Sequence, residues 1–179
     1  MVKRYLRDNP IHKKIVPYFD YFFLLRPTLY FAIWVMVVLG MSSAKIHLIY
    51  YPLWINNFDL STFLVFSGIT LICSGTFIIN QITDKVSDQK NKKLFLISEY
   101  IKIENAQRIS DIVSVMGILL LIIGNWILTP LGIIIYILWG ITYNKPPFQW
   151  KKHPILGILT NMVIGIILFL MGWLHVTGS

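Results

Sequence analysis

Apolar residues along this chain come in long blocks, and polar residues gather in the gaps between them. Five blocks approach the roughly 20 residues that a helix needs to cross a bilayer core, at about 21–42, 60–82, 107–126, 129–143 and 155–176. Segments of ~10 residues with alternating polarity, the mark of a membrane β-barrel, do not occur. The pattern therefore predicts an all-α fold, a polytopic transmembrane bundle of about five helices. Pro27 suits a first helical turn near the start of the first block. The stretch NWILTP predicts a tight hairpin between the third and fourth blocks, with Pro130 opening the second arm.

The gaps carry their own expectations. Residues 1–20, MVKRYLRDNPIHKKIVPYFD, are too polar for the core of a cleavable signal peptide and are expected to form an interfacial or flexible cytoplasmic leader, with 21–179 as the bundle. Tyr50, Tyr51 and Trp54 are expected in an aromatic belt at headgroup level. The patch LFLI, residues 94–97, is expected to dip to the membrane surface between lysines. Glycines 117, 124, 157, 165 and 172 are expected to be helix-packing positions.

Composition sharpens the class. Hydrophobic residues make up 56% of the 179 positions and charged residues 13%, where a soluble domain carries about 25% charged. The formal net charge of +8 would fit nucleic acid in a soluble chain, but its distribution points elsewhere. With five spans, every Lys and Arg except Lys45 falls on one side. The positive-inside rule places that side in the cytoplasm, with Ser179 outside. The expectation is an integral protein of the cell inner membrane whose basic residues meet lipid headgroups, with no nucleic-acid partner. The lone Cys73 lies in an apolar block and is expected as a core residue. His12, His47, His153 and His175 lie in separate segments, without ligand spacing, and are expected to be interfacial or solvated.

One gap carries chemistry. Residues 80–93 read NQITDKVSDQKNKK, directly after an apolar block. Asn80, Asp84 and Asp88 are spaced i, i+4 and i+8, so on a helix they form one polar stripe. Two carboxylates on adjacent turns repel unless a positive group sits between them, and ionisable groups near a bilayer are costly. Mg²⁺ suits such a place, being a hard ion held by one or two carboxylates, waters and substrate phosphates. Lys85, Lys90, Lys92 and Lys93 crowd the same end, so a diphosphate would suit both sets. Spacing alone leaves a solvated helix end equally open.

The string NQITDKVSDQKNKK resembles the first aspartate-rich motif of the UbiA family of intramembrane prenyltransferases, with Asn80, Gln81, Asp84, Asp88, Asn91 and Lys92 in place. Gln81 is similar to the branch that acts on aromatic and chlorin-type acceptors. A second stretch, YNKPPFQWKKHPILG, is similar to the family's loop after its fourth helix, through Tyr143, Pro146, Pro147, Lys151, Pro154 and Gly157. Arg26-Pro27 is a weaker third echo. The resemblance implies a Mg²⁺-dependent transfer of an isoprenyl group from a prenyl diphosphate to an aromatic or other lipophilic acceptor, through an allylic carbocation. It implies Asp84 and Asp88 as catalytic metal ligands, with Asn80 a ligand or an orienting group. Lys151, Lys92, Arg26 and Tyr143 are implied at the diphosphate. The rings of Phe77 and Tyr143 are candidates to stabilise the cation, with simple packing the alternative for Phe77.

The chain also departs from the family pattern. Lys93, Phe95, Leu96 and Glu99 replace a Pro and Gly-containing continuation, and Gln149 stands where an Arg is usual. The family has about nine spans and a second aspartate-rich motif, whereas the last acidic residue here is Asp111. The expectation is an N-terminal half-length relative, completed by a homodimer partner, by a separate second-half chain, or by a gene that continues beyond Ser179. The alternatives are a non-catalytic relative that binds membrane lipid or a partner, and an unrelated small cation transporter using the acidic stripe.

Overall fold

The computed structural model describes residues 10–47, 59–91, 97 and 100–178, with backbone alone for 10–13 and 45–47. It is a bundle of helices. We label them α1 (Pro10–Leu24), α2 (Tyr30–His47), α3 (Leu60–Lys90), α4 (Ile103–Asn125), α5 (Thr129–Ile135, continued with wider π winding over Tyr136–Thr142) and α6 (Pro154–Thr177). Among the described residues there is no strand, and Ile97 and Ile101 form an isolated bridge.

α3 is the central element. Its N-terminus is capped by Asp59, whose carboxylate accepts the Thr62 N–H at 2.8 Å. Its 31 residues extend about 46 Å at 1.5 Å per residue, against a hydrocarbon core of about 30 Å. The excess lies at the C-terminal end, so the apolar part ends near Asn80, and Asp84 and Asp88 project beyond it on the same helix. Two thirds of its most apolar window is buried (67%), the largest share of any span, which identifies it as the helix the others surround.

Close approach of backbones sets the pairings. α3 packs antiparallel to α4: a Cβ on Gly68 would lie 2.8 Å from the Gly117 carbonyl oxygen, and one on Gly117 would lie 2.6 Å from that of Gly68. α2 packs parallel to α6, since Met36 meets Gly165 while Gly40 meets Phe169 and Trp173 further along both helices. Without a hydrophobic drive between helices in lipid, such contact between small residues is what permits tight association.

Four helical runs are long and apolar enough to cross a membrane: Lys14–Ala44, Leu60–Lys90, Ile103–Thr142 and Pro154–Thr177. The third is not a single rod. Asn125 is extended (φ −159°, ψ 98°), and its side chain accepts from Ile127 N–H at 3.2 Å. The chain reverses there, as expected of NWILTP, and a Cβ on Gly132 would sit 2.6 Å from Leu121 Cδ1. The returning arm meets Ile79 and Thr76 through Gly140. The parallel α2/α6 pair requires this reversal, because an unbroken third rod would make the two helices antiparallel. The fourth arm is nevertheless short: two seven-residue pieces reach about 21 Å, less than a full hydrocarbon core.

Other expectations fall out unevenly. α1 runs past residue 20, and its exposed face carries Tyr18, Phe19, Phe22 and Phe23. Ile97 is buried against Leu24, Ile78 and Ala106, not turned to lipid; Leu94, Phe95 and Leu96 lie outside the described residues, as do Tyr50, Tyr51 and Trp54. Cys73 is buried, as expected. His175 is not solvated: it is buried, with Nε2 3.0 Å from Thr62 Oγ1 and Nδ1 3.4 Å from Asn125 Nδ2, joining α6 to the N-terminal end of α3 and the C-terminal end of α4. Among the expected packing glycines, 117, 124 and 172 are in tight contacts, whereas Gly157 and Gly165 have only ordinary neighbours at 3.7 Å and 3.8 Å.

A Cβ on Gly172 would clash with the Val37 carbonyl oxygen, which is backbone and has no rotamer to yield. Gly172→Ala is expected to cost about 2 kcal/mol, while Gly165→Ala is expected to be neutral or to stabilise by up to about 1 kcal/mol through helix propensity. Thermal unfolding in detergent distinguishes the two. At the α3 cap, the backbone hydrogen bond from Thr62 holds the Asp59 carboxyl below its ordinary value. A lowered carboxyl contributes stability that is present at neutral pH and lost as pH falls through the lowered value. Asp59→Asn, which keeps a capping oxygen, should flatten the acid limb of the unfolding profile without removing the cap.

Candidate functional site

The end of α3 and the loop between α5 and α6 meet at one lysine. Lys151 lies in a short 3₁₀ turn, Trp150–Lys152, and its backbone N–H donates to Tyr143 O at 3.2 Å. Its ammonium then reaches α3. Nζ donates to Asp84 Oδ1 at 2.5 Å, to Thr83 Oγ1 at 2.6 Å, to Asn144 Oδ1 at 3.1 Å and to Asn80 Oδ1 at 3.4 Å. The Lys151 side chain is 13% exposed and that of Asp84 30%. Four oxygens from two separate segments thus surround a single positive charge.

Two of the oxygens, those of Asn144 and Thr83, are held by further hydrogen bonds. Asn144 is 1% exposed, and its Nδ2 donates to Trp139 O at 2.7 Å, which turns its carbonyl oxygen toward Lys151. The preceding residues are π-wound, with Tyr143 N–H donating to Leu138 O at 2.9 Å; such winding recurs at functional sites. Thr83 Oγ1 lies 3.0 Å from Asn80 O and 3.3 Å from Asn144 Oδ1.

Two cavities adjoin this cup. The larger, about 670 Å³, is polar and lined by Asp84, Lys90, Gln149, Lys151 and Lys152 among others. The smaller, about 150 Å³, is lined by Arg26, Phe77, Trp139, Asn144 and Asn161 among others. Asn80 and Tyr143 line both, so the two volumes share a wall. Phe77 and Trp139 pack edge-on at 5.4 Å, and Trp139 Nε1 donates to Asn161 Oδ1 at 2.9 Å. Arg26 adopts a left-handed backbone (φ 55°, ψ 58°) at the break before α2, which brings it to the smaller cavity.

Among the residues expected at the site, the structure brings together Asn80, Asp84, Lys151, Tyr143 and Arg26. Asp88 is half-buried one turn further along α3 and is not among the described residues lining either cavity. Lys92 lies outside the described residues. Thr83, Asn144, Trp139 and Asn161 escaped the sequence reading. Asn144 sits inside the quoted YNKPP stretch and Thr83 next to Asp84, so position in the motif was a signal, but nothing local shows that the two meet.

All four groups around Lys151 Nζ present oxygen. Among the described residues no three His, Cys, Asp or Glu form a metal cluster. One carboxylate, two amide carbonyls and a hydroxyl do fit Mg²⁺, which completes its octahedron with waters and phosphate oxygens.

The model of the UbiA prenyltransferase family matches residues 46–179. Two curated proteins of Humulus lupulus, 2-acylphloroglucinol 4-prenyltransferase and the chloroplastic protein of the same name, are each 38% identical to this chain over 95 residues. Each match covers 51% of this chain and 23% of the relative, so the chain aligns with under a quarter of either. No solved structure matches.

Asn144→Ala would remove the side-chain donor to Trp139 O and one of the four oxygens around Lys151 Nζ. The expected cost is about 1–3 kcal/mol, read by thermal unfolding in detergent, with Asn161→Ala, on an exposed bond, costing less.

Proposed function

The chain belongs to the UbiA prenyltransferase family, and from that premise we propose that its polar cup and the adjoining aromatic cavity bind a prenyl diphosphate for Mg²⁺-dependent transfer to an aromatic acceptor. The observation that carries this reading is the shared wall at Asn80 and Tyr143. A charged, oxygen- and lysine-lined volume opens beside a small aromatic one. That is the shape of a substrate with a highly charged head and an apolar allylic group attached to it.

The roles follow from placement. Asp84 and Asn80 hold the cation, with Asp88 assigned to the same task from its place on α3. When bound, Mg²⁺ supplies Lewis-acid charge stabilisation to the leaving diphosphate. Lys151 and Lys152 present positive charge to the same head group, with Lys90 nearby; Arg26, which lines the smaller cavity, and Lys92 are assigned with them from the motif. The allylic C–O bond breaks with its electron pair leaving on the diphosphate. Phe77, Trp139 and Tyr143 then face the electron-poor carbon with ring quadrupoles and exclude water from it. The acceptor carbon forms the new C–C bond and loses a proton. The basic end of the bundle, and the site with it, faces the cytoplasm of the cell inner membrane by the positive-inside rule.

The test is binding of a labelled prenyl diphosphate to the purified chain with and without Mg²⁺. Binding is expected to require the metal and to weaken about 100-fold in Asp84→Asn and in Asp88→Asn. Metal-independent binding unchanged in both variants would replace this reading with that of a non-catalytic lipid-binding relative.

A further inference from the structure

The cup that suits a divalent cation already holds a cation of the chain's own. We propose that Lys151 is an exchangeable internal counter-ion: its ammonium occupies the Asn80–Thr83–Asp84–Asn144 cup when no divalent cation is bound, and moves out onto the diphosphate when one binds. This rests on the reading of the cup as a cation site and adds two ligands, Thr83 and Asn144, and a competitor to it.

Four observations converge. An ammonium has three N–H donors, yet four oxygens lie within 3.4 Å of Nζ, so the ligand number exceeds what a lysine uses. The Asn144 oxygen is oriented by a separate bond to Trp139 O and does not depend on Lys151 for its direction. The lysine backbone is fixed to Tyr143 O, and the rotatable bonds of its four-carbon stem let the ammonium be re-aimed from that anchor. The larger cavity, lined by Lys151 itself, gives the head group somewhere to go, beside Lys152 and Lys90.

The physical consequence is a coupling with two signs. While Lys151 sits in the cup, Asp84 is neutralised, and the bare site resists a second positive charge. A metal ion arriving with a diphosphate brings negative oxygens that receive the displaced ammonium, so the complex is bound more readily than the metal alone. Removal of the lysine charge should therefore affect the two ligands in opposite directions, which a purely structural salt bridge would not do.

The experiment measures Mn²⁺ binding, as a paramagnetic surrogate for Mg²⁺, and inorganic diphosphate binding in the presence of Mg²⁺, on the full chain and on Lys151→Met and Lys151→Gln. Both substitutions are compared with the full chain by thermal unfolding. The expected result is Mn²⁺ binding on the order of tenfold tighter in both variants and diphosphate binding on the order of tenfold weaker. A second readout uses the unaltered chain: acylation of Lys151 by an amine-reactive ester, mapped by mass spectrometry, should rise on adding Mg²⁺ and fall again on adding diphosphate. Equal Mn²⁺ affinity in all three chains, with Lys151 reactivity indifferent to Mg²⁺, overturns the exchange and leaves the cation site standing. Absence of Mn²⁺ binding from all three overturns the site and the exchange together.

Discussion

The contact between Lys151 and Asp84 is where the two ends of the sequence pattern become one place. Asp84 stands on the overhang of a helix longer than the membrane is thick, and Lys151 on a turn before the last helix. Neither charge is at home alone beside hydrocarbon. Each is compensated by the other, and the neutral oxygens of Asn80, Thr83 and Asn144 complete the shell. The local shape then follows: the π winding of α5, the burial of Asn144 and the wall between two cavities are arranged around that single ammonium.

The rest of the bundle keeps this contact at a fixed depth. α3 meets α4 through Gly68 and Gly117, and α2 meets α6 through Gly40 and Gly172, so backbones touch where side chains would otherwise separate them. The reversal at Asn125 brings α5 back along α3 to deliver Trp139, Tyr143 and Asn144 opposite Thr76, Phe77 and Asn80. At the far end, His175 ties α6 to Thr62 and Asn125, a polar contact remote from the charged one. The bundle is thus pinned by hydrogen bonds at both ends and by small residues between them, which is the economical solution where lipid competes equally for every apolar side chain.

The sequence by itself determined the class, the helical arms and the polar stripe. Block lengths near 20 apolar residues admit little else in a bilayer, because only helices and closed barrels satisfy the backbone there. The i, i+4, i+8 step of Asn80, Asp84 and Asp88 survives as one helix because it depends only on helical geometry. Two hairpin arms were legible too, from a turn signal between apolar runs. Pairings were not: nothing in the sequence distinguishes Gly172, which has no room for a methyl group, from Gly165, which has. Long-range contact decides that, as it decides that His175 is buried and that Ile97 faces protein. Above all, Lys151 and Asp84 are 67 residues apart, and local pattern carries no information about which distant charge a carboxylate will meet. Only the tertiary structure placed them together, because only packing brings the loop before α6 over the overhang of α3.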